Sequence, residues 1–261
     1  MEGSPSLPFD RVADRYDETR GGEPRGRLFA AGIAPWLLPG RVLEIGVGTG
    51  LIAAPLREQG YAVCGVDLSP AMLARARARL GPRIALGDAL ALPVATASVD
   101  SVAFVAALHA IGDVTGALHE AARVLRPGGR LVALHAPGSV ATDSGAADGG
   151  APDPAPPVDV SPLLDRVRND RPDTPHRVAA AARAAGLTTV TTRTLTVGTR
   201  RQTPNELADA IAERIWSNLW RLDDATWQAV VVPVIDGLRA LPEPDRPRLR
   251  PHTFRLAVFE R

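Results

Sequence analysis

"VLEIGVGTG", Val42 to Gly50, joins a short apolar run to an acid and then to three glycines at alternate positions. Glycine costs backbone entropy inside a strand or helix, so this spacing marks a loop that something approaches closely. The run before it is short and apolar enough for a buried strand. Glu44 narrows the choice of ligand. A carboxylate there would repel a pyrophosphate but accept a hydrogen bond from a cationic amine, or from water held by it. A dinucleotide loop, Gly-x-Gly-x-x-Gly, also needs a glycine or alanine where Leu51 stands. A zwitterionic ligand suits the stretch better.

Outward from this loop, strands and helices alternate. Thr49 to Gln59 reads as a helix closed by Gly60, and "AVCGVDL" (62–68) as a second strand. Ser69 and Pro70 open a helix that ends at Gly81. "RIALGDA" supplies a third strand and "SVDSVAFVAAL" (98–108) a fourth. A helix follows with Val114, Ala117, Leu118, Ala121 and Leu125 on one stripe, then Pro127-Gly128-Gly129 and the strand "RLVALHA" (130–136). Such alternation predicts an α/β, Rossmann-like, doubly wound and mostly parallel sheet with helices on both faces. Ligands of such sheets sit at the carboxyl ends of the strands, so Gly46 to Gly50, Asp67, Asp88 and Ala107 to His109 fall on one rim.

Two flanking pieces complete the pattern. Phe9, Val12, Ala13 and Tyr16 recur at helical spacing, so residues 1–40 are expected to form a helical lid on a core of 41–137. The Gly/Pro/Asp/Ala tract within 138–174 is too poor in apolar residues for a core and reads as a mobile loop. Residues 175–261 complete the sheet, with helices inserted at 203–241. Thr203, Pro204 and Glu206 make a capping box, and Leu207, Ile211, Ile215 and Leu219 form a stripe on a helix running to Trp220. A further helix after Asp224 is disturbed near Pro233. The last strand, Phe254 to Val258, is expected to be an antiparallel edge partner of strand 188–198. At 261 residues the chain reads as one elaborated domain.

Composition excludes several functions. Thirty basic residues, all arginine, against 29 acidic ones leave a net charge of +1, no footprint for nucleic acid or an anionic membrane. Clusters such as "ARARARL" read as solvated faces. One cysteine, Cys64, excludes a disulfide framework or a thiolate metal cluster, and no histidines stand at metal-ligand spacing. No signal peptide or membrane-length apolar run is present, so a cytoplasmic, soluble protein is expected.

Taken together, "VLEIGVGTG", "CGVDLSPAML", "GDALALP", "SVDSVAFVAALHAI" and "RVLRPGGRLV" resemble the class I S-adenosylmethionine-dependent methyltransferases. The likeness is closest to their small-molecule branch, which includes ubiquinone and menaquinone biosynthesis enzymes. It implies a seven-stranded sheet with an antiparallel last strand, S-adenosyl-L-methionine as cofactor and a small-molecule methyl acceptor. Gly46, Gly48 and Gly50 would lie against the methionine portion, with Glu44 facing its amino end and Tyr16 capping the pocket. Asp67 would accept from both ribose hydroxyls. Leu68 and Met72 would flank the adenine, Asp88 and Ala89 would take its edge, and Val105 and Ala106 would back the sulfonium.

Methyl transfer from a sulfonium is an in-line displacement that needs alignment and desolvation more than a protein nucleophile. A hydroxyl acceptor would gain from a base, and His109, just past the fourth strand, is the candidate, with His135 second. Trp216, Trp220 and Trp227 fit core packing more readily than the walls of an acceptor cavity. Two other readings stand beside this one. A nicotinamide-dependent oxidoreductase is disfavoured by Glu44, Leu51 and the lack of any lysine. A protein that keeps the cofactor fold without methylating is compatible with the same motifs.

Overall fold

The computed structural model describes residues 9–135, 160–167, 171–220 and 222–261. After a 3-10 turn at Ala13–Arg15 come α1 (Tyr16–Arg20) and α2 (Gly22–Ile33). The alternating part follows as β1 (Arg41–Ile45), α3 (Ala53–Glu58), β2 (Ala62–Asp67), α4 (Pro70–Leu80), β3 (Ile84–Leu86), β4 (Val99–Val105), α5 (Val114–Val124) and β5 (Leu125–His135). Next are α6 (Ser161–Arg166), α7 (Pro175–Ala184), β6 (Thr188–Gln202) and α8 (Pro204–Ala212). The chain ends with α9 (Asp224–Thr226), a π-helical turn at Trp227–Val231, α10 (Val232–Arg239) and β7 (Arg248–Glu260).

The seven strands form one sheet in the order β3-β2-β1-β4-β5-β7-β6. Pairings β1–β2, β1–β4, β2–β3 and β4–β5 are parallel, while β7 runs antiparallel to β5 with Leu131 opposite Phe259. The order reverses between β1 and β4, which sets a crevice at their carboxyl ends. Side chains alternate between two cores, as the period of a strand requires. Leu43, Ile45, Val102 and Phe104 join Leu118 and Ala121 of α5 and Val178 of α7. Val42, Ala103 and Val105 join Phe29 and Ile33 of α2, Leu56 of α3 and Ala76 and Leu80 of α4.

The chain, read above as one domain, divides into two compact units. The described residues of the first fall within Met1–Ala136, Pro172–Val197 and Phe254–Arg261. Those of the second fall within Pro137–Arg171 and Gly198–Thr253, around a separate core of Val160, Leu164, Leu207, Ile211, Leu219, Val231, Val234 and Leu238.

Several expectations are corrected. The first crossover helix starts at Ala53, not Thr49, because Gly46, Gly48 and Gly50 all take positive φ (+74°, +54°, +79°) and spend the intervening residues in turns. The loop expected over 138–174 is interrupted by α6, where Val160, Leu164 and Val167 repeat at helical spacing into the second unit's core; 138–159 and 168–170 lie outside the described residues. The helix expected to reach Trp220 ends at Ala212. There Arg214 turns left-handed (φ +52°), its N–H donating to the Ile211 carbonyl and that of Ile215 to Ala210, a Schellman closure on a residue other than glycine. The last strand is interior: β7 lies between β5 and β6, leaving β6 at the edge. Its residues supply both cores, Leu256 and Val258 one and Ala257 and Phe259 the other, which suits a strand covered on both sides.

Candidate functional site

The loop after β1 is fastened to β2. The N–H groups of Gly46 and Val47 both donate to the Val66 carbonyl, at 2.8 and 3.1 Å, and that of Gly50 donates to Val47 at 2.9 Å. Close approach explains two small residues. A Cβ on Gly65 would stand 2.6 Å from Val47, and one on Gly46 2.6 Å from the methyl of Ala107, so the loops after β1 and β4 meet there. A Cβ on Gly48, by contrast, would meet nothing within 4 Å, so the loop presents an open cradle at its centre.

Asp67, ending β2, organises the neighbouring backbone. Its Oδ2 accepts from the Gly48 N–H at 2.7 Å and its Oδ1 from the Ser69 N–H at 2.9 Å. Burial raises its pKa against the pull of these N–H groups, and the Asp10 charge adds to the rise. Glu44 is 1% exposed, and its Oε2 is buried without a hydrogen-bond partner. Burial, then the nearby Asp67 charge, pushes its carboxyl up from 4.5 to about 8. A buried carboxylate lacking a partner is costly, and a cation in the crevice would supply one.

The remaining predicted residues differ in exposure and in local contacts. The Gly87 N–H donates to the Asp67 carbonyl at 3.0 Å, which brings Asp88 alongside. Asp88 is exposed, and its Oδ1 accepts from the Leu90 N–H at 2.9 Å, leaving Oδ2 for another donor. Ala89 is half-buried against the core of α5. Leu68 is 50% exposed, whereas Met72 is 1% exposed. The structure thus brings Leu68 to the surface of the rim and seats Met72 in the interior. Val105 is buried, and Ala106 takes a left-handed φ of +51°, a strained turn next to the loop carrying His109 in a half-buried 3-10 turn (Leu108–Ala110). His135 is buried at the end of β5. Tyr16 is half-buried on α1, edge-on to Phe9 at 6.4 Å, with the Arg20 guanidinium 5.5 Å from its ring centre.

Sequence reasoning missed the charged residues that bind the amino-terminal segment to this rim. Asp10 accepts from the Ser69 hydroxyl at 2.5 Å and the Ala71 N–H at 3.3 Å. Asp14 pairs with Arg75, and Asp17 with Arg79 at 2.8 Å. The signal was present: Asp10, Asp14 and Asp17 recur at helical spacing, as do Arg75 and Arg79 within the "ARARARL" read as a solvated face. Tryptophans 216 and 227 are partly buried against the second unit's core, and the Trp220 Nε1–H donates to the Arg214 carbonyl at 2.6 Å. Among the described residues no cluster of histidine, cysteine or acidic side chains is arranged to hold a metal ion, and no helix is long and apolar enough to cross a membrane.

A parallel sheet reversed at β1/β4, a glycine loop over the reversal, Glu44 one residue before the end of β1 and Asp67 at the end of β2 give a Rossmann-like fold that resembles that of the class I S-adenosylmethionine-dependent methyltransferases. Residues 43–133 match the methyltransferase domain family. A demethylmenaquinone methyltransferase of Thermus thermophilus is 38% identical over 141 residues, covering 49% of this chain and 64% of that protein. The chain thus spans less than two thirds of the length of the curated relatives it matches. Two solved structures share the fold: the [4+2]-cyclase SpnF (TM-score 0.59, 19% identity, covering 100% of this chain and 99% of that one) and geranyl diphosphate C-methyltransferase of Streptomyces coelicolor, in complex with S-adenosyl-L-homocysteine (TM-score 0.52, 15% identity, covering 89% and 78%).

Proposed function

We propose that this protein transfers a methyl group from S-adenosyl-L-methionine to a small, partly apolar acceptor. The observation that carries this reading is the buried Oε2 of Glu44, left without a partner beside an open glycine cradle. A ligand with an ammonium group satisfies the first and a small amino-acid moiety fits the second. A nicotinamide dinucleotide would instead bring a pyrophosphate toward two carboxylates.

The chain's own residues divide the work. Gly46 to Gly50 hold the amino-acid end of the cofactor. Asp67 accepts from the backbone N–H groups of Gly48, Ser69 and Leu68 yet has about four lone-pair sites, so its carboxylate retains acceptor capacity for a sugar hydroxyl. Leu68 offers exposed apolar surface for a base and Asp88 a free oxygen for its amino group. When bound, the cofactor supplies an electrophilic methyl on a sulfonium. His109 accepts the proton of a hydroxyl acceptor; an amine or activated carbon would not need it. The Thermus relative is named for demethylmenaquinone, so a quinone-type ring is the first acceptor to test.

Calorimetric titration with S-adenosylmethionine, S-adenosylhomocysteine and NAD tests the cofactor, and binding of NAD alone would overturn the reading. Candidate acceptors are then screened with isotopically labelled cofactor methyl, scored by mass shift. His109→Ala is expected to lower turnover on a hydroxyl acceptor while leaving cofactor affinity near wild type; an unchanged rate removes the proposed base.

A further inference from the structure

Thr49, between two glycines of the cofactor loop, is 1% exposed and gripped from two sides. Its hydroxyl donates to Asp17 Oδ1 at 2.6 Å, and its carbonyl accepts from Arg79 Nη1 at 3.0 Å. The cycle is closed by Arg79 Nη2, which donates to Asp17 Oδ2 at 2.8 Å. Three elements far apart in sequence therefore meet on one loop residue: α1 through Asp17, the last turn of α4 through Arg79, and the loop itself. Glu23 of α2 stands 3.9 Å from the same guanidinium.

Such a cycle does something that packing alone cannot. Gly48 and Gly50 leave the backbone on both sides of Thr49 free to adopt many conformations, so the loop's shape must be imposed from outside. The Asp17 carboxylate fixes the Thr49 side chain while Arg79 fixes its main chain, and each is oriented by the other. The Asp17 and Arg79 side chains are 24% and 25% exposed, so the pair is partly shielded from solvent and from salt. By contrast, the Asp14–Arg75 pair joins the 3-10 turn to α4 and leaves the Asp14 side chain 89% exposed.

We infer that Asp17 and Arg79 are positioning residues for the cofactor: through Thr49 they preset the glycine loop in its binding shape, making the amino-terminal segment part of the cofactor site. The inference rests on the reading of this crevice as the S-adenosyl site. It follows that affinity for the adenosyl ligand depends on a contact that does not touch the ligand, because an unfixed loop must be ordered at the moment of binding.

The test is titration of the full chain with S-adenosylhomocysteine, each variant first shown to be folded by circular dichroism and measured well below its melting temperature. Asp17→Asn and Thr49→Val are each expected to weaken binding about tenfold, the scale of a lost charge-assisted hydrogen bond. The double variant loses no more than either single one, since both break the same cycle. Thr49→Ser keeps the hydroxyl and restores affinity, and Asp209→Ala, which breaks an exposed pair with Arg239 in the second unit, binds as wild type. A role in stability alone would lower melting temperatures without this pattern of affinities. Wild-type affinity in both single variants, or losses that multiply in the double variant, would overturn the inference. A wild-type chain that takes up no S-adenosylhomocysteine would instead sink the cofactor reading itself.

Discussion

Glu44 is the residue on which stability and binding pull in opposite directions. Burial and the neighbouring Asp67 raise its carboxyl from 4.5 to about 8, so the unliganded folded chain keeps a proton that the unfolded chain has released. The folded state binds more protons between those two values, and stability therefore falls as pH rises through that window. The fall approaches about 1.4 kcal/mol per pH unit in mid-window and ceases above the folded value. Glu44→Gln removes the titration. Its unliganded melting temperature at pH ~8 is expected to exceed wild type by roughly 10 °C, from about 4 kcal/mol accumulated across the window on a scale of about 2–4 °C per kcal/mol, with no gain near pH ~4.5. Binding moves the other way: the ligand's ammonium favours the ionised carboxylate, so wild-type affinity should rise from pH ~6 to ~8 with release of a proton, while the glutamine variant binds more weakly and without that slope. Scanning calorimetry and titration in buffers of different ionisation enthalpy read both effects. Equal melting temperatures at pH ~8 would mean that Glu44 is already ionised in the free protein.

At the scale of elements, the glycine loop keeps its place because β2 leaves room for it. Val47 turns its side chain onto Gly65, where an added Cβ would meet Val47 carbons at 2.6 to 2.8 Å. Gly65→Ala is expected to cost about 1–3 kcal/mol, as overpacking does, and to weaken S-adenosylhomocysteine because the displaced residue belongs to the loop. Adding Val47→Ala should recover part of both losses; no recovery would mean that the strand and not the loop is disturbed. Gly65 also shows what was legible in the sequence. The glycines at 46, 48 and 50, the acids at 44 and 67, and the strands carrying them were readable because each departs from local propensity at a regular spacing. Gly65 sits in the middle of a strand and signals close approach, but nothing local says to what. The end of α8 was hidden for a different reason. The left-handed residue that stops it is Arg214, held by the Trp220 bond to its carbonyl and by stacking of its guanidinium 4.0 Å from the Trp227 ring centre. Those partners are tertiary, while the apolar stripe continues through Ile215 and Leu219 as though the helix went on. The Asp17–Arg79–Thr49 cycle was invisible likewise: its members are 32 and 62 residues apart along the chain.

At the scale of the whole molecule, the arrangement of cores dictates where the chain should open first. Strand β4 is buried at all seven positions and bonded to β1 and β5, whereas β6 lies at the sheet edge with most of its side chains exposed. Amide exchange follows the cheapest opening that frees a given N–H, so β4 and β1 should exchange only on global unfolding and β6 well before them. The second unit has its own core, in which Leu207, Ile211, Val234 and Leu238 are fully or almost fully buried and α8 faces α10. Removing a buried isoleucine side chain there, by Ile211→Ala, costs about 2–5 kcal/mol through lost transfer energy and the cavity left behind. If that core is an independent cooperative unit, the cost is confined to it: exchange in α8 and α10 accelerates by two to three orders of magnitude, at about 1.4 kcal/mol per factor of ten, while β1 and β4 keep their wild-type rates. Native-state hydrogen exchange with mass-spectrometric readout compares the two regions in one experiment. Acceleration by the same factor in β4 as in α8 would show that the two units unfold as one, and that the separate cores do not make separate foldons.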